Sequence, residues 1–304
     1  MKMNIRRIAV ALCAFAATAW GASTPAAAPS VLAPQESQYP ESIVMMRVDD
    51  SGREGLCTPI ARYTDAEGRT VDLVGAIHLA DARYYRALNR AFVRYDRVLY
   101  EMLNGEDLPE MTRLSRKVAA GTASPEEKAR YEYYMDNRER GVAGELLSAY
   151  YSYMADLMGL SLQAEVVDYG LTNLVYADMS SDEFSAAMAE RGESWFTLVL
   201  DSLRENVGSG GISLFSPMSG SGLKEMLCRQ LVASSKNSAS EGRAIIVARN
   251  ARCFEVLDRL LAQDPTARRM AIFYGAMHLR DMHARMLQRG FTLQGVQWIT
   301  AIRL

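Results

Sequence analysis

A seven-residue pattern, Gly-Ala-x-His-Leu-x-Asp, occurs twice in this chain of 304 residues, once near each end. The copies begin at Gly75 and Gly275, and they contain two of the chain's three histidines, His78 and His278. Each copy follows a short apolar run and precedes an amphipathic stretch, which predicts a strand, a glycine turn and a helix. One copy alone would indicate only a strand-to-helix turn with a polar cap. Two copies favour an α/β fold with both imidazoles at the carboxyl ends of strands, where open α/β sheets bind ligands.

The residues around the first copy predict a hairpin followed by a β-α-β unit. Residues 56–63 and 69–77 have the pattern of two strands joined by a turn, and a helix follows them. A short strand at 97–102 then ends in a carboxylate, Glu101. Because a β-α-β unit of this length is right-handed with parallel strands, we expect Glu101 at the same edge of the sheet as His78.

The central and C-terminal parts of the chain are predicted to be mainly helical. Residues from about 105 to 162 are charged and rich in tyrosine, and we interpret them as a helical insertion that covers the crevice. Residues 240–262 predict a long helix whose apolar stripe contains Asn250, with Arg249 at the edge of the stripe. Such residues need hydrogen-bond partners, in the core or at a functional site. The predicted fold class is α/β: a mixed sheet with a strand–Gly-x-x-His–helix unit at both ends of the domain and a helical insertion.

The N-terminus has the features of a secretory signal peptide. Basic residues at positions 2, 6 and 7 precede an apolar run of 13 residues, from position 8 to position 20, which is too short to span a bilayer. We therefore predict a signal peptide over 1–22, a flexible leader rich in alanine and proline over 23–40, and a single domain over 41–304. The protein is expected to be exported, either periplasmic or secreted, with no transmembrane anchor in the mature chain.

Composition excludes several classes of partner. The formal net charge of −2 gives no electrostatic reason to bind nucleic acid or an anionic membrane surface. The three cysteines that remain after cleavage lie far apart in the sequence, which argues against a cysteine-rich zinc site. The expected partner is a peptide or small-molecule substrate.

The two motif histidines and Glu101 have the chemistry of a metal site. Neutral imidazoles and a carboxylate bind a divalent ion and leave open positions, and this donor set suits Zn, Mn, Co or Fe. Asp81 and Asp281 follow the histidines by three residues, so each is either an acid in the first helical turn or a hydrogen-bond partner of its histidine. The third histidine, His283, is expected at the surface or beside the site rather than as a ligand.

Taken together, these motifs resemble those of the TraB/Tiki family, which includes the PrgY and GumN proteins. The shared features are two Gly-x-x-His turns, a glutamate at a strand end after the first turn, and an Arg-Asn pair on a helix before the second. The resemblance covers about residues 55–304. The motif residues occur in the family's order at Gly75 and His78, Glu101, Arg249 and Asn250, and Gly275 and His278.

The resemblance implies an erythromycin-esterase/ChaN-like fold and a metal-dependent protease. It implies Mn or Co at the site, with His78, His278 and Glu101 as ligands. Glu101 and Arg249 would be the catalytic groups, and Arg249 would stabilise developing negative charge. The chain departs from the family because it lacks the usual Leu-Glu-Thr-like strand end. Residues 163–168 and 173–178 occupy that region instead.

Three functions follow as hypotheses. The first is an exported metal-dependent hydrolase that cleaves a peptide or a related bond. The second is a metal or haem binding protein of ChaN type without catalysis. The third is a peptide-sequestering protein whose site is vestigial, and intact residues at all the motif positions argue against it.

Overall fold

The computed structural model describes residues 43–49, 52–136, 142–193, 220–235 and 244–304. The predicted signal peptide at 1–22 and leader at 23–40 lie outside the described residues. The strands, numbered in chain order, are β1 (Met45–Val48), β2 (Glu54–Thr64), β3 (Thr70–Ala76), β4 (Leu79–Ala80), β5 (Arg97–Tyr100), β6 (Ser161–Leu162), β7 (Leu174–Tyr176), β8 (Arg269–Gly275) and β9 (Thr292–Arg303).

The described helices include three from the predicted insertion. They are α1 (Ala82–Phe92), α2 (Leu108–Ala119), α3 (Pro125–Asp136), α4 (Val142–Met158), α5 (Gln163–Val166), α6 (Ser181–Glu190), α7 (Gly220–Ser235), α8 (Ala244–Gln263) and α9 (Leu279–Gln288). A short 3-10 turn, Ala276–His278, joins β8 to α9. None of the helices within the described ranges is both long and apolar enough to cross a membrane.

The sheet is mixed, as the sequence predicts. Its strand order is β1-β2-β3-β8-β5-β7, and β9 pairs with the remaining edge of β2. The pairs β1–β2, β2–β3 and β2–β9 are antiparallel, whereas β3, β8, β5 and β7 are mutually parallel. The strand of the second motif therefore lies between the strand of the first motif and the strand that precedes Glu101.

The two copies of the repeated motif lie side by side in this sheet. β3 and β8 are adjacent and parallel, and Ala76 of the first copy is directly opposite Gly275 of the second. Alternate residues of β8 face opposite sides: Ile272 packs with α8 and α9, and Phe273 packs with α1. Burial on both faces explains why β8 is a continuous apolar run from Met270 to Tyr274 rather than an alternating pattern.

The helices that flank the sheet follow the predicted periodicity. α1 buries Tyr84, Leu88 and Phe92 at spacings of four residues, which places them on one helical face. α8 buries Asn250 and Cys253 in the same stripe. Cys57, Cys228 and Cys253 are buried and free, and so they act as small apolar side chains.

Candidate metal centre

Four polar side chains follow the carboxyl ends of the four parallel strands. His78 comes after β3, His278 after β8, Glu101 after β5 and Asp178 after β7. Because neighbouring parallel strands end at the same edge of a sheet, these residues lie at one edge, the position where open α/β sheets have their crevice. The topology thus places both motif histidines and Glu101 at the same edge, as the sequence predicts.

Glu101 and His278 form the centre of this crevice. Glu101 Oε1 lies 3.5 Å from His278 Nε2, and Glu101 Oε2 accepts a 2.5 Å hydrogen bond from the Gly275 backbone N–H. A methyl group at Gly275 would lie 3.3 Å from Glu101 Oε2, closer than most such contacts allow. Gly275 has φ −52°, so the motif glycine is needed for this close approach and not for a left-handed turn.

The environment sets the charges of this pair. Burial by itself raises the pKa of Glu101, but the charges of Arg249, His278 and His78 and the Gly275 hydrogen bond lower that pKa to about 2. Burial lowers the pKa of His278 to about 4. At neutral pH the site therefore holds an ionised carboxylate beside a neutral imidazole, the protonation states that metal ligands require.

Asn250 connects His278 to the acid of the same motif. Asn250 Oδ1 lies 2.6 Å from His278 Nδ1, and Asn250 Nδ2 donates to the His278 carbonyl oxygen at 3.1 Å and to Asp281 Oδ2 at 2.7 Å. Asp281 also accepts a 2.6 Å hydrogen bond from Arg285 Nε. Asp281 therefore is an acid of the first turn of α9 and supports its histidine through Asn250.

Arg249 lies between two carboxylates. Its Nε and Nη2 donate to Asp178 at 2.9 and 2.5 Å, and the same Nη2 lies 2.8 Å from Glu101 Oε1. Arg249 is 7% exposed, and the Asp178 side chain is completely buried. The two hydrogen bonds to Asp178 orient the Arg249 guanidinium. The guanidinium is thereby held against Glu101, the predicted metal ligand.

His78 has a different environment from His278. Its side chain is exposed, whereas His278 is 4% exposed. The His78 ring lies beside the ring of Tyr151 on α4, with centroids 6.1 Å apart, and the His78 carbonyl accepts a hydrogen bond from the Gln163 backbone N–H at 2.9 Å. The predicted insertion thus contacts the crevice at His78.

The structure does not present a complete three-ligand cluster. Within the ranges that it describes, no three His, Cys, Asp or Glu side chains are grouped closely enough to hold a metal ion. The close pair is Glu101 with His278, and the exposed imidazole of His78 lies outside it.

Asp81 and His283 both have hydrogen-bond partners away from the Glu101–His278 pair. Asp81 accepts hydrogen bonds from the Arg303 backbone N–H at 3.2 Å and from Arg83, so its side chain supports β9 and not His78. The alternative of a bond from Asp81 to its histidine is therefore wrong. His283 Nδ1 pairs with the Tyr63 hydroxyl at 2.8 Å, away from the crevice.

Asp178 is the important residue that the sequence reasoning missed. It lies in the region 173–178, where the chain departs from the TraB/Tiki pattern, two residues after β7 ends at Tyr176. A carboxylate just after a short apolar strand is the signal that identified Glu101. The same signal was present here, but the start of the segment was ambiguous between helix and strand.

Comparison of this chain with family models, with curated proteins and with solved structures finds no match.

We expect the metal-free protein to lose stability as the pH falls from about 6.5 to 4. The pKa of His278 is lowered from 6.5 to about 4 by burial, so in this window the unfolded chain binds a proton that the folded chain does not. The contribution of neutral His278 to the free energy of unfolding is thus fully present above pH 6.5, and roughly 3 kcal/mol of it is lost at pH 4. The lowered pKa of Glu101 extends the loss towards pH 2.

Urea titrations at stepped pH values measure this dependence. His278→Gln, which removes the titrating group, should lose most of the slope between pH 4 and 6.5. An unchanged slope in that variant would show that the dependence arises elsewhere.

Proposed function

We propose that this protein is an exported metal-dependent hydrolase, peptidase-like in its reaction. The single observation that carries the proposal is the close pairing of Glu101 and His278 at the carboxyl edge of the parallel strands. An ionised carboxylate and a neutral imidazole lie 3.5 Å apart there, and the other histidine-bearing strand end, that of His78, is on the adjacent strand.

The separation of the two donors fits a shared cation. Two ligands bound at about 2.1 Å to one tetrahedral or octahedral ion lie about 3.0–3.4 Å apart. The observed 3.5 Å is close to that separation. We propose His78, at the end of the adjacent strand, as the third ligand of the metal ion. The set of two imidazoles and one carboxylate suits Mn, Co, Zn or Fe, and the family resemblance favours Mn or Co.

A divalent ion held by these three residues would supply an acidified water and a polarised substrate carbonyl. The chain's own residues then orient and stabilise. Glu101 stays ionised, since its pKa is about 2, and so it acts as a ligand and not as a proton donor. Arg249 lies next to Glu101 and is held there by Asp178, which keeps a positive charge fixed where negative charge develops on a substrate oxygen.

The hydrolase proposal has a direct test. Purified protein is analysed for bound metal, and a peptide library is then incubated with it with and without Mn²⁺. We expect Mn²⁺-dependent cleavage that is lost in Glu101→Gln, because the amide is a much weaker ligand than the carboxylate. The matched control is Glu165→Gln, which changes an exposed carboxylate on α5 and should leave cleavage unchanged.

The two other functions are distinguishable outcomes. Metal or haem bound stoichiometrically, with no cleavage of any peptide, would replace the hydrolase by a binding protein of ChaN type. Peptide binding without metal would indicate a sequestering protein. Cleavage that persists in Glu101→Gln would refute the assigned site.

A further inference from the structure

The amide of Asn250 is completely buried between the histidine and the acid of the second motif. Asn250 comes from α8, whereas His278 and Asp281 follow β8, so the contact depends on packing between distant parts of the chain. Its side-chain nitrogen and its side-chain oxygen both have hydrogen-bond partners in this motif, at distances of 3.1 Å or less.

The partners of the amide nitrogen decide which way the amide points. Nδ2 faces the His278 carbonyl oxygen and the Asp281 carboxylate, and both of these groups only accept hydrogen bonds. A flipped amide would place its oxygen against two acceptors. The nitrogen must therefore face them, and the oxygen must face His278 Nδ1.

The oxygen of the amide in turn decides the position of the imidazole proton. An amide oxygen cannot donate, so the 2.6 Å contact is a hydrogen bond only if Nδ1 carries the hydrogen. In a neutral imidazole the other nitrogen, Nε2, then has a free lone pair. Nε2 is the atom that lies 3.5 Å from Glu101 Oε1.

We propose that Asn250 is a positioning residue that holds His278 in the Nδ1–H tautomer and directs the Nε2 lone pair towards Glu101. Asp281, fixed by Arg285, keeps the amide of Asn250 in the required orientation. The consequence for metal binding rests on the proposed function, whereas the tautomer is a property of the metal-free protein.

The first motif lacks this device among the described residues. Asp81 occupies the position equivalent to Asp281, but it is bonded to the Arg303 backbone and to Arg83. The repeated sequence thus has one preorganised histidine, His278, and one exposed histidine, His78.

The tautomer is measured by long-range ¹H–¹⁵N correlation spectra of the metal-free chain at neutral pH. The His278 signals are assigned by their loss in His278→Gln. We expect the wild type to show a protonated Nδ1 and an unprotonated Nε2. In Asn250→Ala the spectrum should shift towards the Nε2–H form, because the acceptor that selects Nδ1–H has been removed. A proton on Nε2 in the wild type overturns the proposal.

Two variants separate positioning from general stability. Asn250→Asp keeps an acceptor opposite Nδ1 and should retain the Nδ1–H signature, but it should be less stable than the wild type because its second oxygen faces the His278 carbonyl and Asp281. Asn173→Ala removes an asparagine that donates to the Phe92 and Tyr95 carbonyls far from the crevice, and it should leave the His278 spectrum unchanged. A tautomer that is unchanged in Asn250→Ala, or altered in Asn173→Ala, contradicts the role of Asn250. If Asn250→Ala does not fold, the wild-type spectrum decides the question.

Calorimetric titration with Mn²⁺ connects the tautomer to the site. Asn250→Ala should bind Mn²⁺ about 10–100-fold more weakly than the wild type, the usual cost of losing the group that orients a ligating histidine. A shifted tautomer with unchanged affinity would support the positioning role and refute the metal site of the proposed function.

Discussion

Alanine in place of either motif histidine should lower the affinity for Mn²⁺ by at least about 100-fold. Either change leaves one imidazole and Glu101, which is too few strong ligands to hold a divalent ion. The two variants should differ in stability. His278 is buried and bonded to Asn250, so its loss should cost about 2 kcal/mol. His78 is exposed, and its loss should cost less than about 0.5 kcal/mol.

The measurements are calorimetric titration for affinity and urea denaturation of the metal-free protein for stability. His283→Ala serves as the control for affinity, because that imidazole is bonded to Tyr63 outside the crevice. It should change Mn²⁺ affinity less than about 10-fold. A dispensable motif histidine combined with an essential His283 would show that the ion is held elsewhere.

Removal of Asp178 should be the most destabilising single change at the site. Asp178→Ala leaves the buried guanidinium of Arg249 with only part of its compensating charge, and breaking a buried ion pair from one side costs about 3 kcal/mol or more. Without Asp178, Glu101 is the remaining carboxylate beside the Arg249 guanidinium. Arg249 then pairs more strongly with Glu101 and competes with a metal ion for that carboxylate. Mn²⁺ affinity should therefore fall together with stability.

The matched control is Asp258→Ala, which breaks a pair with Arg289 at the surface. Exposed pairs contribute about 0–1 kcal/mol, so this variant should be nearly as stable as the wild type. Urea denaturation measures the free energy of unfolding of both variants. Equal losses would show that the buried Asp178–Arg249 pair stabilises the protein no more than a surface pair does.

The elements of the fold were predictable because they depend on local patterns. The strand predicted at 56–63 is β2 (Glu54–Thr64), and the strand predicted at 69–77 is β3 (Thr70–Ala76). The helix predicted at 240–262 is α8 (Ala244–Gln263) within the described residues. Side-chain periodicity specifies each of these, and it survives packing because each apolar face is buried as the pattern requires.

Part of the candidate site was also predictable. A carboxylate and two histidines that each follow an apolar strand were expected at one sheet edge, since parallel strands end together. The sequence could not show that β8 lies between β3 and β5, which brings His278 rather than His78 against Glu101.

The repeated motif shows the limit of inference from local sequence. Its two copies are nearly identical in sequence, yet the imidazole of His78 is exposed and that of His278 is buried. Their equivalence as metal ligands stays a prediction. Asp81 meets the backbone of β9, whereas Asp281 meets Asn250 of α8.

Local sequence patterns were enough to specify the α/β class, the strand–turn–helix units and the residue types that can bind a metal. Hydrophobic periodicity and motif spacing are local properties, and they specify elements without their neighbours. Long-range packing, in contrast, sets which histidine of the repeated motif is buried, which carboxylate holds Arg249 and which nitrogen of His278 faces Glu101. Those outcomes depend on contacts between residues distant in the chain, because burial and hydrogen-bond partners are set by packing.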